Sequence, residues 1–322
     1  VLVTSGAVAA GYARLGYEKR PKLTHEKQAA AAVGQALLMQ AYNEAFAGRE
    51  LVVAQVLLTR SDFSDRRRMR NASATLEELL NRGIIPIINE NDTVSVDELK
   101  FGDNDMLSAL VANLVKARAL LILTDTNGLY TADPRKEPDA RRIERVSALS
   151  DDLFAMAGGS GSAVGTGGMR SKLEAARTAI RGGVQVFVGR AAEPGDLLRA
   201  ADGRGDGTYF DAELSTLSAK KQWVGFHSVP RGAVAVDEGA RKALAEGGKS
   251  LLPAGVLRVS GDFHPGDVVE VTQEDGRLIG RGVVNYAAWQ LQAAAGLSSE
   301  EVRRRLDVTR IEVIHRDELV LL

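Results

Sequence analysis

Residues 84–92 read IIPIINEND, an isoleucine-rich apolar run that stops at a cluster of Asn, Glu and Asp. The run is too short for a buried helix and follows Gly83. It reads as a strand covered on both faces, opening into a polar turn. The same pattern recurs on both sides of it. VLVT (1–4) turns at Ser5-Gly6-Ala7 into an Ala-rich helix, and ELVVAQVLL (50–58) is a second buried strand. ALLIL (119–123) ends at Thr124-Asp125, and VQVFV (184–188) closes the series. Helical periodicity fills the intervals, at about 26–47, 62–82, 106–117 and 173–182; the second of these carries an apolar stripe of Met69, Leu76, Leu79 and Leu80. Strands alternating with long helices predict an α/β domain, a mainly parallel sheet sandwiched by helices.

The pattern changes after about Gly225. One short helix (about 238–247) precedes short strands, VLRVSG, DVVEVTQ and LIGRGVVNY, separated by Gly-Asp and Asp-Gly signals. Glu274-Asp275-Gly276 between two alternating runs is a hairpin cue. Residues 203–222 are Gly- and charge-rich at first and lack periodicity. The expected organisation is an α/β domain over 1–229 and a small β-rich domain over 230–322, with the boundary near 225–232.

In the 322 residues, 41 Lys and Arg nearly cancel 42 Asp and Glu. That balance gives no overall field favouring nucleic acid or an anionic membrane. No apolar run approaches the roughly 18 residues of a spanning helix, so no membrane partner is expected. Cysteine is absent, which excludes disulfides and thiolate metal sites and fits a cytoplasmic location. His25, His227, His264 and His315 are far apart and show no ligand spacing, so no protein-held metal is expected. The chain opens at Val1, already inside a strand pattern. An N-terminally incomplete domain is the expectation.

Ligands of open parallel sheets bind beyond the carboxyl ends of the strands. The polar residues that follow each strand, Ser5-Gly6-Ala7, Asn89-Glu90-Asn91-Asp92 and Thr124-Asp125, therefore converge on one rim. Gly102-Asp103-Asn104-Asp105 leads into the next helix at the same rim. One such residue suffices for a cap; three in a row also suit a functional role, with Asn104 donating to a carboxylate or phosphate and Asp105 orienting a catalytic lysine or helping to hold a metal-nucleotide. Asn91 and Asp92 suit an amino-acid ammonium and carboxylate, or form a plain Asx-rich turn. Gly165-Thr166-Gly167-Gly168-Met169-Arg170-Ser171-Lys172 feeds a helix, so its backbone N–H groups can face an anion while Lys172 adds a charge for the β- and γ-phosphates. The spacing matches neither a P-loop nor a dinucleotide fingerprint, and a flexible Gly-rich linker is the other reading. In TDTNGLYTADPR (124–135), Thr124 and Asp125 could touch a nucleotide, whereas the Asn-Gly turn alone reads as a surface hairpin. Arg66, Arg67, Arg68 and Arg70 beside Asp62 and Asp65 read as a solvated, ion-paired face.

These motifs in this order, with VTSGAVAAG (3–11), PIINENDTV (86–94), GDND (102–105), GTGGMRSKLEAA (165–176), VDEGARKAL (236–244) and SLLPAGV (250–256), resemble the gamma-glutamyl kinases of the amino-acid kinase superfamily. VSGDFHPGDVVEV (259–271) and GRGVVNY (280–286) resemble the PUA domain that many members carry. The resemblance covers essentially the whole chain. It implies an amino-acid kinase fold and phosphorylation of the L-glutamate side-chain carboxylate by ATP with Mg²⁺, the first step of proline biosynthesis. It further implies proline as a feedback inhibitor and a dimeric or tetrameric homo-oligomer. By position, Ser5, Asp92 and Asn104 match the family's glutamate-binding residues. Thr124 and Asp125, with Thr166, Gly167, Gly168, Met169, Arg170, Ser171 and Lys172, match its ATP site. Lys172 matches the lysine that stabilises the transferring phosphoryl group, and Asp105 the aspartate that organises the catalytic lysines. The family's first strand, its glycine-containing loop and an N-terminal lysine facing the γ-phosphate have no counterpart here. The corresponding expectation is that this polypeptide by itself is inactive.

The residue types suit that chemistry. A glutamate carboxylate, with a reference pKa of about 4.3, is already an anion at neutral pH, so no general base is required. The difficulty is bringing two anions together, which cationic side chains and backbone N–H dipoles offset. The PUA-like domain raises a different class of function, a non-catalytic RNA-binding or regulatory protein derived from a kinase. Residues 230–322 hold 12 Lys and Arg against 14 Asp and Glu, and the basic cluster Arg303-Arg304-Arg305 follows Glu300-Glu301. Phosphate contacts need clustered positive charge, so RNA is not the expected partner.

Overall fold

Three short strands, β1 (Leu2–Val3), β2 (Val53–Leu58) and β3 (Ile85–Glu90), form a parallel sheet in the order β1-β3-β2. The computed structural model describes residues 1–95, 104–132, 137–150, 153–154, 168–212, 221, 224–225, 228, 230–306, 308 and 310–322. The chain divides into two units, Val1–Ser215 and Thr216–Leu322.

In the first unit β4 (Ala119–Leu123), β5 (Leu129–Tyr130), β6 (Arg142–Ile143), β7 (Arg145–Val146), β8 (Gln185–Arg190) and β9 (Asp206–Phe210) follow. A second sheet has the order β4-β8-β9-β7 and is parallel except between β8 and β9; β5 and β6 make a separate antiparallel ribbon. The mainly parallel character is as the periodicity predicts. The antiparallel β9 lies in a stretch read as lacking periodicity. Its Thr208 and Phe210 are buried, and a Cβ at Gly207 would come within 2.5 Å of Phe187 and of the Val188 carbonyl oxygen. A strand packed that closely needs glycine instead of an apolar run, which is why Asp-Gly-Thr-Tyr-Phe does not look like a strand.

Helices α1 (Ala7–Gly11), α2 (Thr24–Ala47), α3 (Arg60–Ser64), α4 (Arg66–Asn81), α5 (Asn104–Leu114), α6 (Met169–Arg181) and α7 (Asp196–Ala201) connect these strands. The single helix expected over 62–82 is two. Asp65 leaves the helical region at φ −96°, ψ 113° and caps α4 by accepting from the backbone N–H groups of Arg67 and Arg68 at 2.8 and 3.0 Å. Arg68 reaches Asp62 at 3.2 Å, in keeping with an ion-paired face. Helix α5 shows how the core is organised. Leu107, Leu110, Val111 and Leu114, at helical spacing, join Leu58, Leu76 and Ile88 on one side. Ala109 and Ala112 face the other way, into the cluster of Ala175, Ala176 and Ala179 from α6 and Val186 and Val188 from β8. Small residues on both facing stripes let α5 and α6 lie close together, and their N-termini carry the site described below.

The second unit is built on β10 (Gly232–Val236), β11 (Val256–Gly261), β12 (Val268–Thr272), β13 (Leu278–Val284) and β14 (Ile314–Leu321), in the order β11-β10-β12-β13-β14. The β12–β13 hairpin turns through Asp275-Gly276, as its sequence predicts, with Gly276 at φ +88°. Helix α8 (Glu238–Ala245) is capped by Asp237, which accepts from the Ala240 N–H at 2.7 Å. Two further helices, α9 (Ala288–Ala294) and α10 (Ser299–Arg305), join this β-rich unit; Ser298 and Glu301 form the capping box of α10. Their buried Leu291, Ala294 and Val302 close the core over Val234, Val269 and Val271.

Tyr286 is fully buried in that core and donates to the Ile311 carbonyl at 2.9 Å. Burial, then the nearby Glu312 charge, pushes its phenol pKa up. The folded state therefore keeps a proton that the unfolded chain releases near pH 10, so this contribution is complete below about pH 10 and is lost as pH rises through the folded value. Tyr286→Phe should cost about 1 kcal/mol at neutral pH and should flatten the alkaline fall in stability, read by urea denaturation at a series of pH values.

Candidate functional site

Parallel pairing brings the ends of β1 and β3 to one edge, and the ladder continues past β1 through Thr4 N–H to the Ile88 carbonyl at 2.8 Å. Ser5 follows, exposed, and Gly6 turns the chain into α1 at φ +98°, a conformation that disfavours side chains. The parallel pair β4–β8 ends in the same manner, with Thr124 N–H on the Gly189 carbonyl at 2.9 Å. Thr124 is half-buried and its hydroxyl reaches exposed Asp125 at 3.1 Å.

The firmest contact at the site links the two helix N-termini. Lys172 Nζ lies 2.7 Å from Asp105 Oδ2, and the two side chains are only 12% and 17% exposed. Lys172 stands in the first turn of α6, where the helix dipole already presents positive potential. Concentrating two positive features there opposes stability, and Asp105 offsets them. A paired, largely desolvated ion pair adds little net stability, so the arrangement is better suited to meeting an anion than to holding the fold. Ser171 accompanies it, donating to the Gly168 carbonyl at 2.8 Å and lying 3.5 Å from Asp105 Oδ2.

Asn104 precedes Asp105 and turns its amino group inward. Its Nδ2 donates to Asn89 Oδ1 at 2.8 Å and to the Thr4 carbonyl. Both N–H bonds of Asn104 are thus made within the protein. Asn91 is occupied in its own turn, where Oδ1 accepts from Thr93 and the backbone carbonyl from Val94 and Ser95. This is the Asx-turn reading of that residue. Asp92 follows, half-buried, in the same turn. Hydrogen bonds tie Asn104 to Thr4 (beside Ser5) and to Asn89, and Asp105 contacts Ser171 and Lys172; the two sets meet through the neighbouring positions Asn104 and Asp105. Asp92 stands just past the end of β3 and Thr124-Asp125 just past the end of β4. Within the phosphate-loop motif, Met169 packs against the hydrophobic cluster around α6, and exposed Arg170 pairs with Glu174 at 3.3 Å. Thr166 and Gly167, like Gly102 and Asp103, lie outside the described residues.

Two polar residues beneath the rim, Gln35 and Gln55, were not singled out by the motifs, and they extend a chain that begins at Asn89 of the polar cluster after β3. Asn89 is 2% exposed; it accepts from Asn104 and from the Glu90 N–H, and donates to Gln35 at 2.9 Å. Gln35 donates to Gln55 at 3.0 Å. The available signal was a polar residue inside an otherwise apolar stretch: Gln35 in AAAVGQALL, Gln55 in VVAQVLL and Asn89 at the end of IIPII.

Residues 1–190 match the Amino acid kinase family and residues 232–306 match the PUA domain. The glutamate 5-kinase of Geobacillus kaustophilus (strain HTA426) is 54% identical over 323 residues, spanning 100% of this chain and 86% of that protein. The glutamate 5-kinase of Bacillus cereus (strain ATCC 10987 / NRS 248) is 51% identical over 323 residues, spanning 100% of this chain and 88% of that protein.

Proposed function

This chain belongs to the amino acid kinase family, in its glutamate 5-kinase branch, and from that premise we propose that it transfers the γ-phosphoryl group of ATP to the side-chain carboxylate of L-glutamate. The observation that carries the reading is the Lys172–Asp105 pair at the N-termini of two closely packed helices, with Asn104 beside it at the strand ends. Lys172 offsets the charge that gathers on the phosphoryl oxygens as two anions approach. Asp105 holds the Lys172 ammonium in place until the phosphates arrive. The N-terminus of α6, with Gly168 and Ser171, adds backbone N–H dipoles toward the same anion. Ser5, Asp92 and Asn104 take the amino acid, and Thr124 and Asp125 the nucleotide.

Among the described residues no group of three Asp, Glu or His side chains is placed to hold a cation by itself. Mg²⁺ would enter with the nucleotide, held through its phosphates and water with at most one or two carboxylates, the usual habit of this ion. Proline as an inhibitor, assembly into a dimer or tetramer, and a cytoplasmic site of action belong to the same reading and rest on the family resemblance. Among the described residues, no helix is long and apolar enough to cross a membrane. The RNA-binding alternative gains nothing from the comparisons, since the reported relatives that match the whole chain carry the kinase name.

Protein expressed from the complete reading frame should form ADP only when glutamate is supplied, and hydroxylamine should trap the acyl phosphate as its hydroxamate. Faster turnover of aspartate or of uridine monophosphate would remove the assignment.

A further inference from the structure

Beneath the rim, Gln55, Gln35, Asn89 and Asn104 form one hydrogen-bonded chain, and two backbone groups fix the direction of its amides. The Glu90 N–H can only donate, and it meets Asn89 Oδ1 at 2.8 Å. The Thr4 carbonyl can only accept. Asn104 faces both that carbonyl and Asn89 Oδ1. Two acceptors on one side require the amino group of Asn104 to lie there, whichever way an isolated amide might be drawn. The amino group of Asn89 then points to Gln35 Oε1 at 2.9 Å, and that of Gln35 to Gln55 Oε1 at 3.0 Å. Asn89 and Gln35 are buried, so reversing either amide would set like against like where water cannot relieve it.

The atom of Asn104 left for a ligand is its carbonyl oxygen. That oxygen has no hydrogen bond among the described residues and is not among the sealed, unsatisfied atoms, which are Asn113 Oδ1 and Arg281 Nε. It sits next to Asp105, the partner of Lys172. A neutral acceptor there complements an N–H donor and disfavours a carboxylate or phosphate oxygen.

We propose that the buried Gln55–Gln35–Asn89 chain holds Asn104 with its oxygen toward the substrate, so that Asn104 selects the α-ammonium group and Gln35 and Asn89 act as positioning residues. The inference rests on the proposed phosphorylation of glutamate at this site and adds which substrate group Asn104 reads.

The test compares kcat/KM for L-glutamate, for glutarate (the same chain without the ammonium) and for 4-aminobutanoate (without the α-carboxylate), using protein from the complete reading frame. Asn104→Ala should shrink the preference for glutamate over glutarate by about ten- to a hundredfold, the size of one hydrogen bond to a charged group. It should leave the preference for glutamate over 4-aminobutanoate unchanged. Gln35→Met removes the acceptor that aligns Asn89 and should shrink the same preference, mainly through KM. A purely structural role would move both preferences together or neither. If Gln35→Met does not fold, Asn104→Ala, at a half-buried position, decides alone. Turnover of glutamate with an intact glutarate preference and a lost 4-aminobutanoate preference in Asn104→Ala would overturn this inference only. Failure of the unmutated protein to turn over glutamate while accepting another acid would overturn the functional reading as well.

Discussion

Replacing Lys172 by alanine should lower glutamate-dependent ADP formation by about 10²–10³-fold, the usual consequence of removing one donor aimed at charge that develops in a transition state. The loss should fall on kcat, because the ammonium matters most when the phosphoryl group is between its two oxygen partners. The variant also leaves Asp105, at 17% side-chain exposure, without its 2.7 Å partner. Removing the ammonium beside a largely buried carboxylate weakens that carboxylate's compensation, so the unfolding midpoint of Lys172→Ala should drop too. The double variant Lys172→Ala/Asp105→Asn separates the effects. It removes both charges, should recover most of the stability and should recover none of the activity. Steady-state kinetics alongside thermal unfolding reads both quantities. Activity of Lys172→Ala within threefold of the unmutated protein would end the assignment of this lysine to the phosphoryl group.

The second large effect is expected at Gly34, far in sequence from any motif. Helix α1 crosses α2 backbone to backbone at this point. A Cβ at Gly34 would stand 1.8 Å from the Ala7 carbonyl oxygen and 2.7 Å from the Gly11 nitrogen; one at Gly11 would stand 2.0 Å from the Ala30 carbonyl oxygen. Every atom in the way belongs to a backbone, so no rotamer change relieves the clash and the helices must separate. Gly34→Ala should therefore cost about 3 kcal/mol in spite of the higher helix propensity of alanine, at the upper end of overpacking penalties. In a unit of this size that lowers the midpoint by roughly 6–12 °C. Helix α1 begins directly after Ser5-Gly6, so the same variant should raise the KM for glutamate. A neutral or stabilised Gly34→Ala protein would show that the two helices do not approach as described.

Much of the first unit could be read from one-dimensional patterns. The parallel strands at 53–58, 85–90, 119–123 and 185–190 are apolar runs because both faces are covered, and a run of that kind survives in any local context. Helix α6 was legible from its periodicity, α2 from its long Ala-rich run, and the hairpin at Asp275-Gly276 from its turn residues. Strand β9 escaped because close packing demanded glycine where a pattern would show an aliphatic residue. The break at Asp65 escaped because an aspartate in a polar helix and an aspartate capping the next helix are identical letters. In the second unit α9 and α10 are only about two turns long, too short for periodicity to outweigh the strand signals around them.

For the site, the amino-acid sequence by itself determined the candidates: Ser5, Asp92, Asn104, Asp105, Thr124, Asp125 and Lys172 all follow strands or open helices, which is where a parallel sheet exposes its ligand-binding edge. Tertiary structure alone decided what those residues do to one another. Lys172 meets Asp105 across 67 positions of chain, and Asn104 meets Asn89 and Thr4 across 15 and 100. The direction of an amide, and hence whether Asn104 offers a donor or an acceptor, depends on backbone groups that only folding brings alongside it.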